Sequence, residues 1–213
     1  MNLRTQRRSI AGPAGPIECA IDTPQAAVRG LAVVCHPHPL HGGTLENKVA
    51  QTLARAFVQL GWRSVRFNFR GVGQSAGAWD EGRGEVDDAL AVIAAQREPG
   101  QRLALAGFSF GGYVAAQAAA VLAAASPPQP CGRLVLVAPA VGRFALPAVP
   151  AHTQLIHGEV DDVVPLAEVL AWARPQNLAV TVVPGAGHFF HGQLVLLRSL
   201  VVDAAGAREP AAG

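Results

Sequence analysis

Six short runs of almost uninterrupted apolar residues, separated by stretches of helical periodicity, set the narrowest limit on how this chain folds. The runs are GLAVVCH (30–36), RSVRFNF (63–69), RLALAGF (102–108), RLVLVAP (133–139), TQLIHG (153–158) and AVTVVPG (179–185). A strand with one wet face alternates apolar and polar residues, whereas a strand covered on both faces reads as a continuous apolar run. Between the runs, TLENKVAQTLARAFVQLG (44–61) predicts a helix with Thr44 as its N-cap and Gly61 at its end. EVDDALAVIAAQ, GGYVAAQAAAVLAAA, PLAEVLAWA and HGQLVLLRSLVVDA predict four more, with Pro165 at the first helical position of PLAEVLAWA and His191 inside the last. Regular alternation of this kind implies an α/β domain with a mostly parallel central sheet and helices on both faces. Two extended pieces, around 4–10 and 17–22, predict antiparallel edge strands. SPPQP (126–130) is a loop, and there is no internal repeat or interdomain linker. Residues 1–213 therefore read as a single domain, with frayed N-terminal residues and a C-terminal tail over about 204–213.

Charge excludes some classes of function. Only 15% of residues are charged and the net charge is +2, with Arg4, Arg7 and Arg8 as the one local basic cluster. That cluster reads as a solvated tail, and no Lys/Arg stripe suggests a nucleic-acid partner. No apolar run reaches the ~18 residues of a membrane span, and no apolar segment follows the N-terminal arginines as in a secretory signal. The three cysteines, Cys19, Cys35 and Cys131, lie in strand-like settings without close spacing. They predict buried thiols of a cytoplasmic protein rather than a disulfide framework or a zinc site.

The segment GFSFGG (107–112) joins the strand RLALAGF to the helix GGYVAAQAAA. G-x-S-x-G at a strand-to-helix junction is the nucleophile-elbow pattern: glycines relieve crowding around a strained serine, and the following helix aims its N–H groups at the space above it. A serine hydroxyl is a weak nucleophile and needs a base, which in turn needs a carboxylate. In the chain order nucleophile, acid, histidine, the acid belongs after TQLIHG, in GEVDDVVP (158–165). Asp161 is the choice, with Asp162 its rival and Glu159 behind, because neighbouring turn residues point opposite ways. The loop AVGRFALP offers no carboxylate. Of the histidines beyond, His188 follows a strand and the PGAG turn, and His191 reads as a helix-surface residue.

The loop CHPHPLHGGT (35–44) follows the first central strand. Its histidines, His36, His38 and His41, have no companion carboxylates or cysteines, so neither a metal nor another cofactor is expected. The position suits a loop that supplies an oxyanion donor beside the Phe110 N–H. Pro37 and Pro39 have no N–H, which leaves His38 or Leu40. In FNFRGVGQSAG (67–77), Arg70 is expected to pin its loop by hydrogen bonds, and Asp87 and Asp88 to start a helix and complement its dipole.

Through GFSFGG, GEVDDVVP and GAGHFF the chain resembles the α/β-hydrolase superfamily over roughly 17–200. HPHPLHGGTLENK with RFNFRGVGQS is similar to small bacterial serine hydrolases that lack a lid. His36-Pro37 stands where many members have His-Gly, and Asn68 where many have Asp. The resemblance implies acyl-transfer chemistry on Ser109, His188 and Asp161. The expected substrate is a small carboxylic ester, with a thioester or amide using the same residues as the alternative and a non-catalytic binding protein as the rival of a different class. The strands RLVLVAP and TQLIHG, between which lids are usually inserted, are joined here by residues 140–152 alone, too few for a helical cap.

Overall fold

The computed structural model describes residues 5–206. Its eight strands are β1 (Gln6–Gly12), β2 (Gly15–Asp22), β3 (Leu31–Cys35), β4 (Arg63–Phe67), β5 (Leu103–Phe108), β6 (Arg133–Val137), β7 (Gln154–Gly158) and β8 (Val180–Val183). They form one sheet in the order β1-β2-β4-β3-β5-β6-β7-β8. β1 and β2 pair antiparallel, as do β2 and β4, and the pairings from β4 through β8 are parallel. The helices are α1 (Lys48–Gln59), α2 (Arg83–Gln96), α3 (Phe110–Ala124), α4 (Leu166–Ala173) and α5 (Leu194–Gly206).

The unbroken apolar runs follow from burial on both faces. In β3, Leu31, Val33 and Cys35 join a core with Val86 and Val92 of α2, Val114 of α3 and Val169 of α4. The alternate residues Ala32 and Val34 join a second core with Leu53 and Phe57 of α1 and Leu197 and Val201 of α5. Each large side chain withdrawn from water in these layers stabilises the fold by about 1.5–3 kcal/mol before entropy is counted. The turning point of strand order lies at β3 and β5, and loops from the carboxyl ends of these parallel strands meet there.

Several helix starts differ from the expectation. α1 begins at Lys48, not at 45, and its N-cap is Asn47, whose Oδ1 accepts from the N–H groups of Val49 and Ala50. Residues before it are drawn out of the helix by tertiary bonds: the Leu45 N–H donates to Asn68 Oδ1 (2.8 Å), and Arg66 donates to the Leu45 carbonyl (2.7 Å). Thr44 instead accepts from the Glu46 N–H within the turn. Pro165 is the N-cap of α4 rather than its first residue. α2 starts at Arg83, ahead of Asp87 and Asp88. Asp87 is exposed, and Asp88 is turned inward rather than serving the helix dipole. His191 lies in a turn before α5, because the fully buried Phe190 holds a positive φ of 51° that breaks the helix. Arg7 and Arg8 belong to β1 rather than to a tail, and Arg7 pairs with Glu18 and Glu46. Arg4 and residues 207–213 of the expected tail lie outside the described residues, whereas 204–206 continue α5.

Between β6 and β7 no helix or strand is inserted, so no lid domain crosses the carboxyl edge of the sheet. Among the described residues, no helix is long and apolar enough to cross a membrane.

Candidate active site

Ser109 occupies the one-residue junction between β5 and α3, at φ 56° and ψ −120°. A non-glycine residue in that region carries strain of about 1–3 kcal/mol and persists only where its surroundings hold it. Here the Ser109 N–H donates to the Val137 carbonyl (2.9 Å), and the Ser109 carbonyl accepts from Gly112 (2.9 Å) and Ala140 (3.2 Å). The flanking glycines are steric requirements. A Cβ on Gly107 would overlap the Gly111 carbonyl, and one on Gly111 would overlap the carbonyls of Cys35 and His36 at the end of β3.

The loop after β8 brings His188 to this serine, with its Nε2 3.1 Å from Ser109 Oγ and its Nδ1 2.7 Å from Asp161 Oδ2. Asp161 is buried in the turn after β7, and its Oδ1 accepts from the N–H groups of Val163 (2.9 Å) and Val164 (2.8 Å). Burial opposes ionisation of Asp161, but the hydrogen bond from His188 and those from the backbone outweigh it and hold the carboxyl below its ordinary pKa. With Asp161 ionised, Nδ1 of His188 donates to it, and Nε2 presents a lone pair to the Ser109 hydroxyl. Asp162 and His191 are exposed, and Glu159 accepts from the Gly185 N–H at the surface.

Sequence reasoning missed His157. It lies on β7, fully buried, with Nε2 2.9 Å from the Val164 carbonyl and 3.5 Å from Asp161 Oδ2. Burial lowers its pKa, so it is a neutral ring that ties the Asp161 turn to the strand. An apolar strand with one histidine carries no signal of such a role, since the partner is contributed by a turn that doubles back over it.

The loop between β3 and α1 forms the opposite wall. Its His36 is buried, and its Nε2 accepts from the Phe69 N–H (3.1 Å), so the proton sits on Nδ1 and is donated to the Pro37 carbonyl (2.7 Å). Both nitrogens are committed to backbone. Among the described residues, no group of three or more His, Cys, Asp or Glu is placed to hold a metal ion. Residues 39–41 form a 3₁₀ turn in which the Leu40 N–H donates to His38 Nδ1 (3.3 Å), while the His38 carbonyl accepts from His41 and Gly43. The His38 ring packs against Trp79 and Phe110, at centroid distances of 4.5 and 5.1 Å. At the departure Asn68, Nδ2 donates to Glu18 Oε2 (2.7 Å) while Oδ1 caps Leu45; an aspartate would lose the donor and face a carboxylate. Arg70 donates to both oxygens of Asp88, whose Oδ2 also accepts the Arg70 N–H, so this arginine pins its loop as expected.

Burial pushes His36 down from 6.5 to about 3. The folded state keeps the ring neutral, while the unfolded chain binds a proton below about 6.5. Stability conferred by His36 is therefore complete above that pH and falls as the pH drops toward 3, by about 1.4 kcal/mol per unit. Urea unfolding of the protein between pH 6.5 and 4 is expected to show a steep loss of stability. His36→Asn is expected to be less stable at neutral pH but to depend on pH with roughly one proton less. An unchanged slope in the variant would contradict this assignment.

A cavity of about 170 Å³ opens over Ser109, lined by His38, Asn47, Phe110, Arg143, Phe144 and Phe189 among others. Val163 and Val164 also line it, and none of residues 67–77 does. A larger open hollow of about 640 Å³ lies by the end of α2 and the proline-rich 127–130 loop, but contains none of Ser109, Asp161 or His188.

Comparison with known proteins agrees with this fold. The sequence profile of the family described as "Serine aminopeptidase, S33" matches residues 32–183. The crystal structure of XC6422 from Xanthomonas campestris, described as an a/b serine hydrolase without lid, is 39% identical. The alignment covers 100% of this chain and 99% of that one, with a TM-score of 0.86. An alpha-beta serine hydrolase homologue from Coxiella burnetii is also 39% identical, over 95% of this chain and 98% of that one, with a TM-score of 0.81. The uncharacterized protein RP471 of Rickettsia prowazekii (strain Madrid E) is 41% identical over 109 residues, which are 50% of this chain and 46%, about half, of that one. With a mostly parallel eight-stranded sheet, no lid and a profile match across the strands that carry the site, the chain belongs to the α/β-hydrolase superfamily, in the serine hydrolase family described as Serine aminopeptidase, S33.

Proposed function

We propose that the protein hydrolyses short-acyl carboxylic esters through an acyl-enzyme on Ser109. The observation that carries this reading is the continuous chain Ser109 Oγ, His188, Asp161, seated at the N-terminus of α3. Ser109 Oγ attacks the ester carbonyl and passes its proton to His188 Nε2, leaving a tetrahedral oxyanion. The Phe110 N–H, the first of α3, has no acceptor within its own helix and is a donor for that charge. Of the two candidates for the second donor, Leu40 has its N–H engaged with the His38 ring, which favours the His38 N–H. His188 then protonates the leaving alcohol as the carbon–oxygen bond breaks. Water attacks the acyl-enzyme by the same route in reverse, returning the proton to Ser109. No step calls for a cofactor. The three buried, free thiols support a reducing, cytoplasmic setting.

An aminopeptidase must hold a free α-ammonium group, for which a carboxylate is the natural partner. Among the described residues no carboxylate lines the cavity, which favours esters over N-terminal peptide bonds. The lidless edge and the small cavity also limit the acyl chain. The test is a fluorophosphonate probe, expected to label Ser109, followed by ester, thioester and amide panels. Acetyl and butyryl p-nitrophenyl esters are expected to exceed the dodecanoyl ester by about tenfold or more in kcat/KM, a difference of about 1.4 kcal/mol in transition-state binding. No jump in rate is expected when substrate aggregates, since no lid has to open. A preference for long chains, or faster thioester or amide turnover, would overturn the reading.

A further inference from the structure

The side chains around the cavity are unusual in what they leave unsatisfied. Arg143 lines it from the β6–β7 loop, and among the described residues its guanidinium has neither an ion pair nor a hydrogen bond. Glu168 packs its carboxylate against Gly142, does not line the cavity and forms no ion pair with Arg143. His38 accepts the Leu40 N–H at Nδ1, so its neutral ring carries the proton on Nε2, for which no acceptor is found among the described residues. Burial, together with the neighbouring His41 and Arg143, lowers the His38 pKa and keeps that tautomer at neutral pH. Asn47 spends Oδ1 on the first turn of α1 and is left with its amide N–H groups. Beyond Ser109 and His188, the polar side chains lining the cavity are Arg143, His38, Asn47 and His41, so a guanidinium, an imidazole N–H and an amide offer donors there, and among the described residues no carboxylate lines it.

We propose that the cavity takes an anionic ligand, so that the preferred substrate is a half-ester of a short dicarboxylic acid whose free carboxylate is held by Arg143 with His38 and Asn47. A guanidinium offers a planar pair of donors that matches a carboxylate, and such charge-assisted bonds contribute more than neutral ones. The small volume favours an acid of few carbons. This inference rests on the ester reading above for its chemistry but not for its binding step, and the two can be tested apart.

For turnover, the ratio of kcat/KM for monomethyl succinate to that for dimethyl succinate is measured at pH 7.5. The ratio is expected to exceed about ten and to fall by about tenfold or more in Arg143→Met, with Arg143→Lys in between, because lysine keeps the charge and loses the fork. Added salt should lower it as well. For binding, Ser109→Ala is titrated calorimetrically with succinate, succinamide and inorganic phosphate. Succinate is expected to bind at least tenfold more tightly than succinamide, and this advantage should vanish when Arg143→Met is added. Melting temperatures of the Arg143 variants are expected to stay close to that of the parent, since Arg143 is exposed. A ratio near one, an Arg143→Met ratio equal to that of the parent, or equal binding of succinate and succinamide would overturn the proposal. Tighter binding of phosphate than of succinate would overturn its assignment to a carboxylate. If neither ester is cleaved yet succinate binds through Arg143, the ester reading fails and the anion site stands.

Discussion

Replacing Ser109 with alanine is expected to lower kcat on a cleaved ester by about 10⁴-fold or more while leaving the melting temperature close to that of the parent. The size of the effect comes from the loss of a covalent route. Without Oγ there is no atom 3.1 Å from His188 Nε2 to attack the carbonyl, and water must react unaided beside the remaining donors. The fold should tolerate the change because the elbow is held by backbone bonds of residue 109 and by the close approach of Gly107 to Gly111, none of which involve Oγ. Oγ makes one hydrogen bond, to His188, at a site that is only just buried. The same variant should not react with a fluorophosphonate. Turnover retained in a purified, folded Ser109→Ala protein would move the nucleophile elsewhere.

Asp161→Asn is expected to cost about 10⁴-fold in kcat, and Asp162→Asn less than about twofold. The contrast follows from what surrounds the two side chains. Asp161 Oδ1 accepts two backbone N–H groups, so an asparagine at 161 keeps its carbonyl there and turns its amide N–H toward His188. The imidazole must then accept at Nδ1 and carry its proton on Nε2, where it no longer accepts from Ser109. Orientation is preserved and the tautomer is wrong. Asp162 is exposed, so neutralising it changes only a solvated charge. Comparable losses in both variants, or a larger one for Asp162→Asn, would show that the acid has been misassigned. His157→Gln offers a related comparison: it should disturb the Asp161 turn through Val164 without supplying or removing a negative charge.

The sheet and the elbow were legible in the sequence because each rests on local chemistry, whereas the order of the three site residues came from the elbow pattern and the resemblance it carries. Doubly covered strands need continuous apolar runs, and a strained serine between a strand and a helix needs glycine on either side. A loop that must donate at a defined place cannot do so through proline. Tertiary structure alone decided which carboxylate turns inward, since Asp161 and Asp162 are chemically equal until the Val163 and Val164 N–H groups capture one of them. It moved the start of α1 to Lys48, because Asn68 and Arg66, distant in sequence, compete for the backbone of Leu45. It placed Asp88 on Arg70 rather than at a helix end. It also revealed His157 beneath Asp161 and, at the cavity, an Arg143 without a partner among the described residues. Neither could be read from the chain, because a donor is satisfied or left free only by what the fold brings beside it.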